Sequence, residues 1–241
     1  ARNDFWRLKS ALDESFPLVL GKIELDIPQL KDASYLVEQQ LYDAVSTARF
    51  TKGDISVSYK AFVPATEDML IVDLNMEGNG SVEGTVGISF LGKEEQIDNP
   101  PRERIFPDVR EHETKPNGIE YLSRAFVDSV DIPIKGAMAL RVSGSTDGKF
   151  TLEPGKTVRL VCAFSSNFKS DDCVATVIKK VEDFTPARQA EIEKSHKEWW
   201  RNYWEKSYVS IPDSVIEKQY YLSLYGMGSC CRDIDFPPSI F

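Results

Sequence analysis

The sequence has few of the residue types that build metal centres and disulfide frameworks. Its 241 residues include two histidines and four cysteines, with no C-x-x-C pair beside a partner histidine. A structural zinc site needs such ligands at short spacings, so we expect no metal and no cofactor. Cys162 and Cys173 flank a predicted turn and are candidates for a bridge in an oxidising compartment. Cys230 and Cys231 are adjacent, and a bridge between neighbours is strained.

Long hydrophobic runs are also missing. The longest apolar stretches, such as residues 69–72, have the length of a strand, whereas a bilayer-spanning helix needs roughly 20 apolar residues. No hydrophobic leader is visible at the amino terminus. The compartment is left open, and a secreted or periplasmic location is compatible with the sequence.

Basic residues are in the minority. The 29 Lys and Arg residues face 38 Asp and Glu residues, which gives a formal net charge of -9. An acidic surface repels nucleic acid and anionic membranes, so neither is an expected partner.

Over most of the first 184 residues, apolar residues recur at every second position, as they do in half-buried strands. Alternating apolar residues between turns rich in Gly and Pro predict about nine strands. The clearest signal is a hairpin around Gly53, with Ile55, Val57 and Tyr59 on one face. The other predicted strands are 16–27, 35–42, 68–75, 81–91, 119–127, 132–142, 158–164 and 175–181. Strands joined by turns predict an antiparallel sandwich.

One stretch lacks this period. Residues 92–118 hold four prolines and many charges, which predicts a long connection or an edge excursion. His112 lies here between Glu111 and Glu113, a trio that suits either a metal ion or a solvated loop.

The pattern becomes helical at Thr185, a preferred N-cap followed by proline at the first helical position. A second helix is predicted to start at Ser210 or Asp213. The apolar residues at helical spacing are Ile192, His196, Trp199, Trp200 and Tyr203, then Ile216, Tyr220 and Leu224. Trp204, Tyr221 and Tyr225 lie off these stripes. One surface cannot bury all of these rings, so the pattern predicts that another domain or partner covers some of them.

A small cluster of residues near the amino terminus has the composition of a sugar-binding site. Asn3, Asp4 and Trp6 combine an amide, an acid and an indole, and sugar sites pair polar groups with an aromatic ring on which a C–H face stacks. The alternative is that Phe5 and Trp6 pack on the sheet as core residues. The two histidines have no nucleophile at a triad-like position in the neighbouring sequence.

Several segments together resemble a known enzyme family. They are "NDFW", "LGKIELDI", the hairpin region "STARFTKGDISVSYKAFVPATEDMLIVDL", the aromatic run "HKEWWRNYWEKSYVSIPDSVIEKQYYLSLYGMG" and "DIDFPPSIF". In this order they resemble the glycoside hydrolases of the α-L-fucosidase family, family ninety-five, and their bacterial relatives.

The resemblance implies a mainly β fold. An antiparallel super-sandwich over residues 1–184 would lead into a helical linker and the start of a truncated (α/α) toroid over 185–241. The missing toroid would pack on Trp199, Trp200, Tyr220 and Tyr221. It would also carry the catalytic carboxylates, so no catalytic residue is expected in this chain. The intact protein is expected to hydrolyse glycosides with inversion.

Two other functions fit the same sequence. One is a non-catalytic carbohydrate-binding sandwich, in which the helices close on the sandwich. The other is a module that recruits a protein through its helices. A large exposed apolar patch favours a missing domain or partner, whereas a covered helix pair favours the complete binding module.

Overall fold

Antiparallel strands dominate the part of the chain that the computed structural model describes, residues 19–90, 108–126 and 132–232. The strands are β1 Lys22–Asp26, β2 Ser34–Gln40, β3 Val45–Lys52, β4 Ile55–Phe62, β5 Met69–Glu77, β6 Val82–Ser89, β7 Val109–Thr114, β8 Glu120–Phe126, β9 Ile134–Val142, β10 Lys149–Leu152 and β11 Val158–Ser166. The helices are α1 Cys173–Glu182, α2 Pro186–Trp204 and α3 Ser214–Cys230, with a short 3-10 turn at Pro28–Leu30.

The described strands form two sheets. The long sheet has the order β2-β3-β4-β5-β11-β9-β8-β7 and the short sheet the order β1-β6-β10. All the pairings are antiparallel. Strand β11 lies between β5 and β9, so the last strand in sequence joins the two halves of the long sheet. The predicted antiparallel sandwich followed by helices is confirmed.

The long sheet is buried on both faces near its centre. Leu74, Leu160 and Met138 face the short sheet and contact the cluster that contains Val82 and Phe150. Neighbouring residues point the other way, towards α1 and α2, and include Ile71, Val161, Ala139 and Ala163. Because both faces are covered, β11 is apolar without alternation from Leu160 to Phe164.

Helix α1 corrects the prediction of a final strand over residues 175–181. The β-branched residues there favour a strand, but Val174, Val177, Ile178 and Val181 also recur at helical spacing and pack on the long sheet. Asp172 caps the helix through its carboxylate, which accepts the N–H of Ala175 at 3.0 Å.

Two other strands lie where turns or a connection were predicted. Strand β7 falls within the charged segment 92–118; it is an edge strand with every side chain exposed, so it lacks an apolar alternation and fits the alternative of an edge excursion. Strand β10 is only four residues long and lies within residues 143–157, between the predicted strands 132–142 and 158–164, with Phe150 and Leu152 buried.

The start of α2 is as predicted. Thr185 caps the helix through its hydroxyl, which accepts the N–H of Arg188 at 3.2 Å, and Pro186 is the first helical residue. Of the two candidate caps for α3, Asp213 is the one used; its carboxylate accepts the N–H groups of Val215 and Ile216.

A polar chain fixes α2 to the long sheet. Arg159 donates to Asp73 at 2.6 Å, and the amide of Gln189 donates to both Asp73 and Glu193. Lys60 on β4 lies 3.6 Å from Glu193. Each of these partly buried charges has a partner, and any shift of α2 along the sheet would leave one of them unpaired. The polar chain therefore fixes the position of the helix on the sheet.

Cys162 and Cys173 are not bridged. Cys162 points towards the short sheet, whereas Cys173 begins α1 on the opposite face of the long sheet. The sheet itself separates the two sulfurs, so the predicted candidate bridge does not form. Burial raises the pKa of both thiols, which keeps them protonated and unreactive.

Candidate functional site

Helices α2 and α3 meet through a cluster of aromatic rings. Trp200 is 2% exposed and stacks on Trp204 and Tyr225, with ring centroids 5.7 and 5.4 Å apart. Trp199, Tyr203, Tyr220 and Tyr221 complete this interhelix aromatic cluster. Gly228 on α3 faces Trp200 and Tyr203 so closely that an added Cβ would lie 3.0 Å from both rings, so glycine allows the close approach of the two helices.

Hydrogen bonds fix the rings that reach the surface of the cluster. The hydroxyl of Tyr221 donates to the carbonyl oxygen of Val209 at 2.8 Å and accepts the N–H of the same residue at 3.3 Å. The hydroxyl of Tyr203 donates to the carbonyl oxygen of Leu224 at 2.8 Å. The bonds of Tyr221 tie the segment between the helices to α3, and the bond of Tyr203 ties α2 to α3, so both rings have fixed orientations.

One side of the cluster opens into a cleft against the turn that follows β2. The cleft has a volume of about 530 Å³ and is lined by Leu41, Tyr42, Trp204, Glu205, Tyr208, Lys218 and Tyr221. We call it the aromatic cleft. The indole N–H of Trp204 donates to the carbonyl oxygen of Tyr42 at 3.0 Å and closes one end. The rings of Tyr42 and Tyr208 are 58% and 83% exposed, which is unusual for side chains of this size.

Two opposite charges lie in the aromatic cleft. Glu205 is the C-cap residue of α2, and Lys218 lies in the second turn of α3. Within the described residues, neither the Glu205 carboxylate nor the Lys218 ammonium forms an ion pair or a side-chain hydrogen bond. Both groups are therefore free to bind a ligand in the cleft.

A second cavity, of about 580 Å³, lies between the two sheets beneath the 3-10 turn. Phe50 and Tyr59 line it with Val57 and Leu74, and Asp26 and Lys31 supply its charges. The rings of Phe50 and Tyr59 lie 6.4 Å apart, and Tyr35 on the edge strand extends the row at 6.1 Å from Phe50. We call this cavity the intersheet groove.

The candidate sugar cluster Asn3, Asp4 and Trp6 lies outside the described residues. The residues of the other candidate, the metal trio, do not come together. His112 lies 2.7 Å from Glu120, while Glu111 and Glu113 lie on the other face of β7 and accept from Ser123 and Tyr121. Among the described residues, no group of three or more His, Cys, Asp or Glu could hold a metal ion.

His196 has a structural role. Its Nδ1 accepts the N–H of Ala65 at 3.1 Å, and its Nε2 lies 2.8 Å from the carbonyl oxygen of Asp43. Burial lowers the pKa of His196, and the bond to Asp43 opposes this only in part. A neutral ring with both nitrogens occupied cannot act as a general base towards a substrate.

Helix α3 turns an uncharged stripe towards solvent. Val215 is 76% exposed and Ile216 60%, and Leu222 and Met227 are exposed on the same side. The other exposed residues of this stripe are Gln219, Ser223, Gly226 and Cys230. We call it the exposed α3 face. An amphipathic helix on a protein surface normally turns its charged side outwards, so this arrangement is inverted.

The four aromatic residues predicted to meet a missing domain differ in exposure. Trp199, Tyr220 and Tyr221 are half-buried, whereas Trp200 is enclosed by its own chain. Whether another domain packs on this cluster stays a prediction.

Sequence reasoning did not find the aromatic cleft. It singled out Trp204 and Tyr221 as rings that lie off the helical stripes, but it gave no reason to place Tyr42 beside them. That contact joins residues far apart in sequence and depends on how α2 lies across the long sheet.

Compared with protein-family models and with curated proteins, the sequence matches none. The resemblance to family ninety-five therefore stays a prediction. No helix in the described part of the chain is long and apolar enough to span a membrane.

Proposed function

We propose that this chain is the β-sandwich and linker region of a glycoside hydrolase, and that the sugar-cleaving carboxylates lie in a helical domain outside these 241 residues. The observation that carries the proposal is the exposed α3 face. Apolar residues at helical spacing on a surface mark a place where another helix or groove packs. Gly226, in the middle of this face, has open space around it and would allow a neighbouring helix to approach closely.

The way α2 and α3 are held supports the same proposal. Helix α2 is anchored to the long sheet by Gln189 and His196, and α3 is anchored to α2 by the interhelix aromatic cluster. The exposed α3 face therefore has a fixed position relative to the sandwich. A domain that packs on it would be held in one orientation, as a linker between two domains requires.

The chemistry would belong to that second domain. Inverting glycoside hydrolysis needs a carboxylic acid that protonates the leaving oxygen and a carboxylate that activates water, set about 6.5–9.5 Å apart. The role of this chain would be to support the helical domain and to shape one side of its site. We expect the chain by itself to be inactive.

The test compares the natural gene product with the 241-residue chain. The mass of the natural product is measured, and both proteins are assayed on a panel of aryl glycosides that includes an aryl α-L-fucoside. We expect a longer natural product that releases the aryl group and a 241-residue chain that does not. A natural product of the same length, or a longer one that cleaves no glycoside, contradicts the proposal.

The exposed α3 face is tested in the same assay. Ile216→Glu places a charge in the proposed interface, and Lys197→Glu places one on an exposed position of α2 as the matched control. We expect the first variant to lower the stability and activity of the longer product and the second to leave both unchanged. Equal behaviour of the two variants contradicts the role assigned to α3.

A further inference from the structure

The aromatic cleft has the shape and stiffness of a ligand site. Its volume of about 530 Å³ falls within the range of about 300–1,000 Å³ that is usual for small-molecule sites. Trp204 is fixed through its indole N–H by Tyr42, and Tyr221 is fixed through its hydroxyl by Val209. Trp204 and Tyr221 are therefore already immobile and lose little conformational entropy when a ligand binds, whereas the exposed ring of Tyr208 would have to be ordered by the ligand.

The charges of the cleft restrict the chemistry of the ligand. Glu205 offers a carboxylate and Lys218 an ammonium, and no described residue neutralises either of them. A singly charged ligand is attracted by one of these two groups and repelled by the other, so its charge gains little from the pair. A neutral ligand that both donates and accepts hydrogen bonds can use both, and bonds to ionised groups are about twice as strong as those between neutral groups.

The rings restrict the ligand further. Trp204, Tyr208 and Tyr221 present aromatic surface, whose negative face attracts the partly positive hydrogens of C–H groups. A pyranose ring has apolar C–H faces and a rim of hydroxyl groups. It is therefore a neutral molecule that can stack on the rings while its hydroxyls reach Glu205 and Lys218.

We propose that the aromatic cleft binds a neutral saccharide, which stacks on Trp204 and Tyr208 and whose hydroxyl groups donate to Glu205 and accept from Lys218. This goes beyond the proposed function, because a sandwich without any hydrolase domain could use the same site. The cleft lies beside the exposed α3 face on the same helix. In a larger enzyme it would hold part of a glycan next to the domain that cleaves it.

The test is isothermal titration calorimetry of the 241-residue chain with neutral oligosaccharides of glucose, galactose, mannose, xylose and fucose. Glucuronic acid and glucosamine serve as charged probes of similar size to glucose. We expect at least one neutral saccharide to bind, and both charged probes to bind more weakly than it does. No heat from any neutral saccharide, or tighter binding of the acid or the amine, overturns the proposal.

Variants locate the site. The ring of Tyr208 has no hydrogen bond or ring contact with a described residue, so Tyr208→Ala should leave thermal unfolding unchanged while it weakens binding about tenfold, the equivalent of about 1.4 kcal/mol. Glu205→Gln and Lys218→Gln should each weaken binding as well. The matched control is Tyr35→Ala, which removes an exposed tyrosine beside the intersheet groove. Binding that Tyr35→Ala abolishes and Tyr208→Ala leaves intact would overturn the proposal and place the sugar in the groove instead.

The saccharide-binding proposal and the hydrolase proposal can be refuted independently of each other. Calorimetry reports on the 241-residue chain alone, whereas glycosidase activity reports on the longer product. A chain that binds saccharide within an inactive product refutes the hydrolase and keeps the cleft. A longer product that cleaves glycosides, together with a 241-residue chain that binds no saccharide, supports the hydrolase and refutes the saccharide site in the cleft.

Discussion

The imidazole of His196 lies 2.8 Å from the carbonyl oxygen of Asp43, a contact between the middle of α2 and the turn that joins β2 to β3. The N–H of Ala65 donates to the other ring nitrogen, which leaves the proton on Nε2, where it is donated to Asp43. The ring is buried against Phe62, with centroids 5.0 Å apart. One neutral side chain thus fixes α2 to two separate loops of the sandwich.

We predict that the free energy of unfolding falls as the pH falls below the ordinary pKa of histidine, about 6.5. Burial lowers the pKa of His196 in the folded chain, so the unfolded chain takes up a proton that the folded chain does not. Stability that is fully present above about pH 6.5 is then lost at up to about 1.4 kcal/mol per pH unit. Urea unfolding over a series of pH values measures this.

His196→Gln provides the comparison, and His112→Gln is the matched control at an exposed position. The first variant should be less stable at neutral pH and should lose most of the slope between about pH 6.5 and 5. The control should keep the slope. Identical slopes in all three proteins would show that His196 is not the group that titrates.

Replacing two glycines of α3 by alanine should change the stability of the chain in opposite directions. Gly228→Ala places a methyl group 3.0 Å from the rings of Trp200 and Tyr203, and overpacking of this kind costs about 1–3 kcal/mol. A methyl group added at Gly226 would meet no atom within 4 Å, so Gly226→Ala should stabilise the helix by up to about 1 kcal/mol. Thermal unfolding of the two variants measures the difference, and a destabilised Gly226→Ala would contradict this account.

The four cysteines should fall into two classes of reactivity. Cys230 and Cys231 are exposed and should react with a thiol reagent in the native chain, whereas Cys162 and Cys173 should react only after unfolding. Because the long sheet separates the buried pair, we expect the midpoint of thermal unfolding to be the same with and without reductant. Peptide mapping that finds a bridge between Cys162 and Cys173 would refute this arrangement.

Glu120 on β8 of the long sheet should stabilise the fold through its hydrogen bond to the short sheet. Its carboxylate accepts the N–H of Ile88 on β6 at 3.0 Å and contacts His112 at 2.7 Å. Glu120→Ala leaves the buried N–H unpaired and should cost about 1–3 kcal/mol of stability. Glu120→Gln keeps an acceptor and should cost less. The two variants are compared by urea unfolding, and equal losses would mean that the bond to Ile88 contributes little.

Much of this fold could be predicted from the sequence because local signals and tertiary packing agree. The hairpin at Gly53 needs a positive φ in its turn and has one of 58°. Thr185, Pro186 and Asp213 mark helix starts that the structure uses. These signals depend on neighbours in sequence, so a single chain is enough to detect them.

The predictions that were wrong concern features that are determined by tertiary packing. The β-branched residues of α1 resemble a strand until the sheet on which they pack is known, and β7 at the edge of the sheet has no buried face to give it an apolar period. The position of Cys162 relative to Cys173 likewise depends on which face of the long sheet each one occupies. For α1 the local spacing fits a helix as well as a strand, and for β7 and the two cysteines the local sequence does not specify the tertiary position.

The place of β11 also fixes the order in which the molecule can be completed. Of the strands of the long sheet, β2–β5 leave the ribosome first, and β7–β9 follow as a second group. The facing edges of these groups, β5 and β9, have no partner until Val158–Ser166 has been made and has inserted between them. Any chain that stops short of Val158 therefore carries two half-sheets with open apolar edges, the form in which β-proteins most readily associate with one another.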